Sequence, residues 1–245
     1  MAPSERDGVL PRPDRAADVP WLEPYPDVLL DRLADTGPNS EARYSPRESV
    51  SLAFITALQA VAPHQRAVLV LRDVLGFPAA ETAEIMQMSA EQVASVLGPA
   101  RAALQGRMAR CARRPAAPAP GSVVEQDLVQ QLMHAYAVMD ADSVVSLLTD
   151  DVVISMPPCA CEYRGRRMAA QALRVLFGSG RAYRFIATRA NAQPAFGLYV
   201  RDPYGGVLRA DGLLVLTLAG EKICALSRFG NSSIARFGLP RILPV

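Results

Sequence analysis

Asp211 stands out first, because it is a carboxylate inside an apolar strand-like run, Val207–Leu218, beside Ala210, Leu213 and Val215. A charge there is costly unless it is paired or used. Arg209, two residues away on the same strand face, and Arg228, near the end of the next apolar run, are its candidate partners. An aspartate that moves a proton beside an arginine that holds developing negative charge makes an acid–base pair. Cys159 and Cys161 add a second possibility. A thiolate is a nucleophile, and Arg164, Arg166 and Arg167 are close enough in sequence to favour one. Against this, most free cysteines are small buried hydrophobes. His134 is a further candidate base, and a surface or core histidine is its plain alternative. Met156, Tyr163, Tyr183, Tyr199 and Asn231 are candidates to line or donate into a binding site. Catalysis is thus assigned to Cys159, Cys161, Asp211, Arg228 and His134. No glycine-rich phosphate loop, metal triad or Gly-x-Ser-x-Gly elbow accompanies them, so no cofactor and no metal are expected.

The elements that must hold these residues can be read from the 245-residue chain. Half of it is apolar, enough for a substantial core, and the net charge of +2 gives no nucleic-acid or membrane signature. Lys222 is the one lysine among 26 basic residues. No run of 18 apolar residues exists, the N-terminus lacks a leader-like apolar stretch, and the four cysteines read as reduced thiols of a cytoplasmic protein. Residues 1–44 are a proline-rich arm, with Trp21 and Tyr25 as expected anchors. Residues 45–114 are helical: Ser45-Pro46-Arg47-Glu48 starts one helix, Pro63 a second, and Ala79–Met86 a third. Ser89 with Gln92 starts a fourth, and the tight Gln87-Met88-Ser89 turn between the last two predicts a helix-turn-helix. Residues 115–122, Pro-Ala-Ala-Pro-Ala-Pro-Gly-Ser, form a linker.

From residue 123 to 245 the pattern changes to three helices, interleaved with a strand that breaks at Pro157-Pro158, followed by four strand-like runs. This predicts an α+β cone with a curved antiparallel sheet. The proline break is expected to leave Cys159–Tyr163 unpaired and free to line a cavity.

Two resemblances follow. Ala53-Phe54, Gln65–Leu69, Arg72–Gly76 and Ala80–Glu84 resemble region four of the extracytoplasmic-function sigma factors, and the Trp21–Asp27 arm resembles the linker preceding it. Asp150–Val152, Met156–Pro158, Tyr163–Gly165, Asn191, Gln193–Ala195 and Phe237–Pro240 resemble the SnoaL-like polyketide cyclases, in the version fused to such sigma factors. The first implies binding to DNA or RNA polymerase. The second implies a cone-shaped pocket in which an aspartate is the usual base.

Two departures bear on the choice. The arm is too short and too proline-rich to replace a region-two module. Gly98-Pro99 falls inside the expected recognition helix, where proline costs about 3 kcal/mol. Over residues 46–100 there are three basic against five acidic residues, a net charge of −2, which is poor for phosphate contacts. The sequence therefore leads to an expected sigma-derived enzyme. It would cyclise or isomerise a small, largely apolar, conjugated biosynthetic intermediate, free or on a carrier protein, without a cofactor. The alternative is a truncated sigma-like regulator that binds DNA or RNA polymerase, with the cone as ligand sensor or autoinhibitory module.

Overall fold

The computed structural model describes residues 15–16, 22–30, 42–44, 46–112, 114–157, 159–178, 180–202 and 205–244, with backbone alone at 15–16, 46–47, 109–112 and 159–161. Trp21 and Ser45 lie outside these residues. The chain divides into a helical unit, Asp27–Arg114, and a second unit of Met1–Pro26 with Pro115–Val245.

The helical unit holds α1 (Asp27–Leu30), α2 (Pro46–Val50), α3 (Leu52–Gln59), α4 (Pro63–Leu69), a π-helical turn (Val70–Val74), α5 (Ala79–Met86) and α6 (Ala90–Ala112). Ser51 interrupts the expected first helix because its hydroxyl accepts from the Phe54 N–H and caps α3. The π-turn carries Asp73 inward to 1% exposure. There the carboxylate takes two hydrogen bonds from Arg101, at 2.8 and 2.6 Å, while the Asp73 carbonyl accepts from Arg43 and Tyr44. Gln87 takes a left-handed conformation (φ 54°) and ends α5. Ser89 and Gln92 then cap α6 reciprocally, at 2.8 and 3.1 Å.

The expected break at Gly98-Pro99 does not occur, and α6 runs through both residues. The reason is tertiary. Val93, Leu97, Ala100 and Leu104 are all buried, a stripe at helical spacing that spans the proline, while Gly98 and Pro99 themselves face outward. Burying about 25 cal/mol per Å² along that stripe offsets the roughly 3 kcal/mol proline penalty.

The second unit holds β1 (Arg15–Ala16), α7 (Val123–Ala137), α8 (Ala141–Ser146), β2 (Leu148–Met156), β3 (Cys159–Arg164) and α9 (Arg166–Gly178). The strands β4 (Tyr183–Ala190), β5 (Gln193–Arg201), β6 (Val207–Ala219) and β7 (Lys222–Gly230), a 3₁₀ helix (Asn231–Phe237) and β8 (Ile242–Pro244) complete it. The sheet order is β1-β3-β2-β7-β6-β5-β4, with β8 on β6. It is mixed rather than wholly antiparallel, since β2 and β7 run parallel. The four-strand meander that follows α9 returns β7 alongside β2 in the same direction. The main core lies between one sheet face and α7, α8 and α9, and includes Leu132, Tyr136, Val152, Leu173, Phe196, Leu214 and Leu226.

The proline break is a hairpin, not an open loop. β3 pairs antiparallel with β2, with Ile154 opposite Tyr163, Ser155 opposite Glu162 and Met156 opposite Cys159. Pro157 cannot donate to a ladder, but at the turn that follows β2 it need not.

Two described pieces of the arm lie at the sheet edges. β1 pairs with β3 at one edge, and Pro26 bridges Ala190 at the other. Tyr25 donates its N–H to the Asn191 side chain at 2.8 Å and its carbonyl accepts from the Asn191 N–H at 2.9 Å. The Tyr25 ring is exposed, so its backbone rather than its ring is the anchor. The linker begins on the same unit, where the Ala116 carbonyl accepts from Gly220.

Candidate functional site

Asp211 and Arg228 form an ion pair on the inner face of the sheet, with side chains 20% and 33% exposed respectively. The ladder explains how they meet. On β5, Leu198 pairs with Gly212 and Tyr199 with Ala210, so Asp211 has no partner of its own and is a β-bulge. Asp211 and Gly212 share one position opposite Leu198. A bulge re-aims a side chain, and here it turns Asp211 to the face that carries Leu198, Leu214 and Leu226. Gly212 makes the bulge possible, because a Cβ there would lie 2.3 Å from the Phe229 carbonyl oxygen. Arg228 sits opposite Leu214 on β7 and reaches Asp211 from the same face. Arg209, the other expected partner, pairs with Asp202 instead.

Two tyrosines complete the cluster. Tyr183 is opposite Val200 at the start of β4 and is buried. Its hydroxyl pKa is raised by burial and by Asp211, against opposing effects of Arg228 and Arg181. Tyr136, on α7, is buried to 6% exposure. Its ring meets Phe177 and Phe185 edge-on, at centroid distances of 5.0 and 5.3 Å. Burial drives its pKa well above the ordinary tyrosine value; Tyr183 adds to this and Arg228 opposes it. Both hydroxyls therefore stay protonated at neutral pH and can donate. Among the described residues, no hydrogen bond is made by the Tyr136 hydroxyl.

The other expected site residues divide. Tyr163 and Met156 join the inner-face core, Tyr163 with its pKa raised by burial. Tyr199 lies on the opposite face, where its hydroxyl donates to the Pro240 carbonyl at 2.7 Å. Strand alternation sets this, because its neighbour Leu198 faces the core. His134 is exposed, out of step with the buried Leu132, Ala135 and Tyr136. Asn231 is exposed at the start of the 3₁₀ helix. Cys159 and Cys161 are in β3, and their side chains lie outside the described set. Two of the nearby arginines have other partners: Arg164 binds Glu162 at 2.5 Å, and Arg166 binds the Leu148 carbonyl at 2.7 Å and Asp150 at 3.2 Å.

Sequence reasoning did not assign Tyr136 to the site. Helical spacing with Leu128 and Leu132 places it on the core face, and a core tyrosine must put its hydroxyl somewhere. Among the described residues no group of three His, Cys, Asp or Glu could hold a metal, and no helix is long and apolar enough to cross a membrane.

The helix-turn-helix unit and the α+β cone define the class, and comparison with known proteins agrees. Residues 51–104 match the family profile "Sigma-70, region 4", so the chain carries a sigma-70 region-four domain. Over 230 residues it is 37% identical to the ECF RNA polymerase sigma factor SigG of Mycobacterium tuberculosis, covering 91% of this chain and 59% of the relative. It is 32% identical over 166 residues to SigJ of the same species, covering 68% of this chain and 47% of that one. The chain is thus a homologue of extracytoplasmic-function sigma factors and spans about half to three-fifths of their length. The crystal structure of M. tuberculosis SigJ shares the fold, with a TM-score of 0.57 at 23% identity over 92% of this chain and 78% of that one.

Proposed function

We propose that this protein is a cytoplasmic, sigma-type transcription regulator, with the helical unit engaging the transcription machinery and the cone as a regulatory module. The observation that carries the reading is 37% identity to a sigma factor over 91% of the chain, across both units rather than region four alone. The unbroken α6 supports it, since the recognition helix keeps its shape. The outward side chains of that helix are Glu91, Gln92, Ala94 and Ser95, with no basic residue before Arg101, whose guanidinium is held by Asp73. Such a face gains little from phosphates, so RNA polymerase is the main partner and DNA is held weakly unless polymerase is present.

The test is a binding measurement with the full chain, core RNA polymerase and promoter duplex at about 150 mM salt. Retention by polymerase with a Kd of about 1 μM or below is the expected result, with free duplex bound at least 10-fold more weakly. Absence of polymerase binding rejects the reading.

A cofactor-free enzyme that cyclises or isomerises a small apolar compound is the second reading. The Asp211–Arg228 pair beside two protonated tyrosines favours it, since these are groups for proton transfer and anion stabilisation. Cys159 and Cys161 would add a nucleophile. Turnover of a conjugated ketone or ester by the purified chain, lost in Asp211→Asn, would establish it.

A further inference from the structure

We infer that the outer face of the cone's sheet binds the phosphate backbone of DNA through Arg184, Arg201 and Arg241. The inference rests on the reading of the chain as a transcription regulator and names the surface that supplies its phosphate contacts.

Strand register brings the three arginines together. Tyr183 belongs to the main core, so its neighbour Arg184 takes the other face of β4. Arg184 is opposite Tyr199, and Arg201 follows Tyr199 by two residues on the same face of β5. Arg184 and Arg201 are therefore diagonal neighbours, about 8 Å apart. Tyr199 is opposite Ala210 on β6, and Ala210 donates its N–H to the Arg241 carbonyl at 2.9 Å. The Tyr199 hydroxyl donates to the Pro240 carbonyl, so the segment that carries Arg241 lies against this same face. Three strand spacings separate Arg184 from Arg241, about 14 Å in all.

Charge sets the class of partner. All three arginines are exposed, and among the described residues none of their side chains has a hydrogen bond or an ion pair. Their neighbours differ: Arg209 is held by Asp202 and Arg236 by Glu23. Asp202, the acidic residue next to Arg201 in the chain, is thereby engaged. Three uncompensated guanidinium groups remain. Exposed groups spread over about 14 Å do not enclose a small anion, and they fit within one turn of a DNA duplex, about 34 Å. Guanidinium also matches phosphate geometry, two N–H groups to two oxygens.

The rest of the chain favours DNA over another polyanion. Phosphate contacts supply much of the affinity of a DNA-binding protein. Residues 46–100 carry a net charge of −2, and Arg101, the first basic residue of α6, is held by Asp73. The outer face of the cone offers what that stretch lacks.

The experiment is fluorescence anisotropy of a labelled 20-base-pair duplex titrated with the full chain, without polymerase, from about 50 to 200 mM salt. The expected result is binding with a Kd of about 100 μM or below at the lowest salt, in the range of sequence-independent contacts. The triple variant R184Q/R201Q/R241Q is expected to bind at least 10-fold more weakly there. Its slope of log Kd against log salt should be smaller by about 2 to 3, close to 0.9 per lost phosphate contact. Since the three side chains are exposed, its melting temperature should match that of the parent. The control R167Q/R174Q/K222Q removes the same charge from exposed positions on α9 and at the start of β7, and it should bind within 2-fold of the parent. No duplex binding at about 50 mM salt, an equal loss in the control, or a triple variant that binds duplex like the parent each overturns the inference. If that triple variant keeps duplex binding but loses retention by polymerase, the face belongs to an acidic protein surface and the inference fails. Loss of polymerase binding by the parent is a separate result, which rejects the transcription reading itself.

Discussion

Arg228 and Asp211 meet across β7 and β6 although the ladder places Leu214, not Asp211, opposite Arg228. The bulge at Asp211 closes that offset, and Gly212 permits the bulge because any Cβ would lie 2.3 Å from the Phe229 carbonyl oxygen. The obstacle is backbone, which cannot rotate aside as a side chain can. Gly212→Ala is therefore expected to destabilise the cone by about 3 kcal/mol, the upper end for overpacked sites. Urea denaturation measures it. A change under about 0.5 kcal/mol would mean that the bulge is not rigid.

Burial of the Tyr136 side chain predicts a particular alkaline response. Its folded pKa is raised above the unfolded value of 10.0, chiefly by desolvation. As pH rises past that value, the unfolded chain loses its proton first, so it binds fewer protons than the folded chain and stability falls with pH. The contribution is complete below about pH 10 and is lost as pH climbs toward the folded pKa. Melting temperatures between pH 9 and about pH 12 should fall for the parent and fall less for Tyr136→Phe. Parallel curves for the two proteins would contradict this.

Asn191 holds the arm by exchanging hydrogen bonds with the Tyr25 backbone, from a left-handed position (φ 55°) in the two-residue turn between β4 and β5. Asn191→Ala removes the side-chain acceptor and the local preference together, at a cost of about 1–2 kcal/mol. Asn191→Gly removes the acceptor but keeps the conformation accessible. Both variants should show faster proteolysis around residues 22–26 than the parent, with Asn191→Gly keeping the higher melting temperature. Unchanged proteolysis in both would show that the arm is held elsewhere.

Much of this was legible in the sequence. The capping residues Ser89 and Gln92, the helix start at Pro63 and the four apolar runs after residue 182 each carry a local signal that the fold respects. The Asp211–Arg228 pair was legible as a charge that needs a partner. What failed was reasoning from one residue against its surroundings. Pro99 reads as a helix break, yet the buried stripe of Val93, Leu97, Ala100 and Leu104 outweighs it. Pro157 and Pro158 read as the end of pairing, yet β3 returns beside β2. Tyr199 reads as a site residue, and strand alternation assigns it to the other face. In each case tertiary packing or register decides, and neither is written in the local composition.

Pro99 supplies the last prediction. It stands inside α6 with its ring facing outward, so no packing contact rewards the proline itself. Its missing N–H leaves the Ser95 carbonyl without its usual helical donor, and proline is about 3 kcal/mol less favourable than alanine in a helix interior. Pro99→Ala restores the donor and adds a good helix former at an exposed position, so the helical unit should gain stability, by up to about 3 kcal/mol. Thermal denaturation of the full chain, followed by far-ultraviolet circular dichroism, reads the gain as a rise in the transition of the helical unit. The same variant tests whether the proline matters to the partner. If polymerase and DNA binding match the parent while the melting temperature rises, the residue is incidental to recognition. If binding changes, the local geometry that Pro99 gives to α6 is part of how the helix is read. A Pro99→Ala protein no more stable than the parent would contradict the continuous helix.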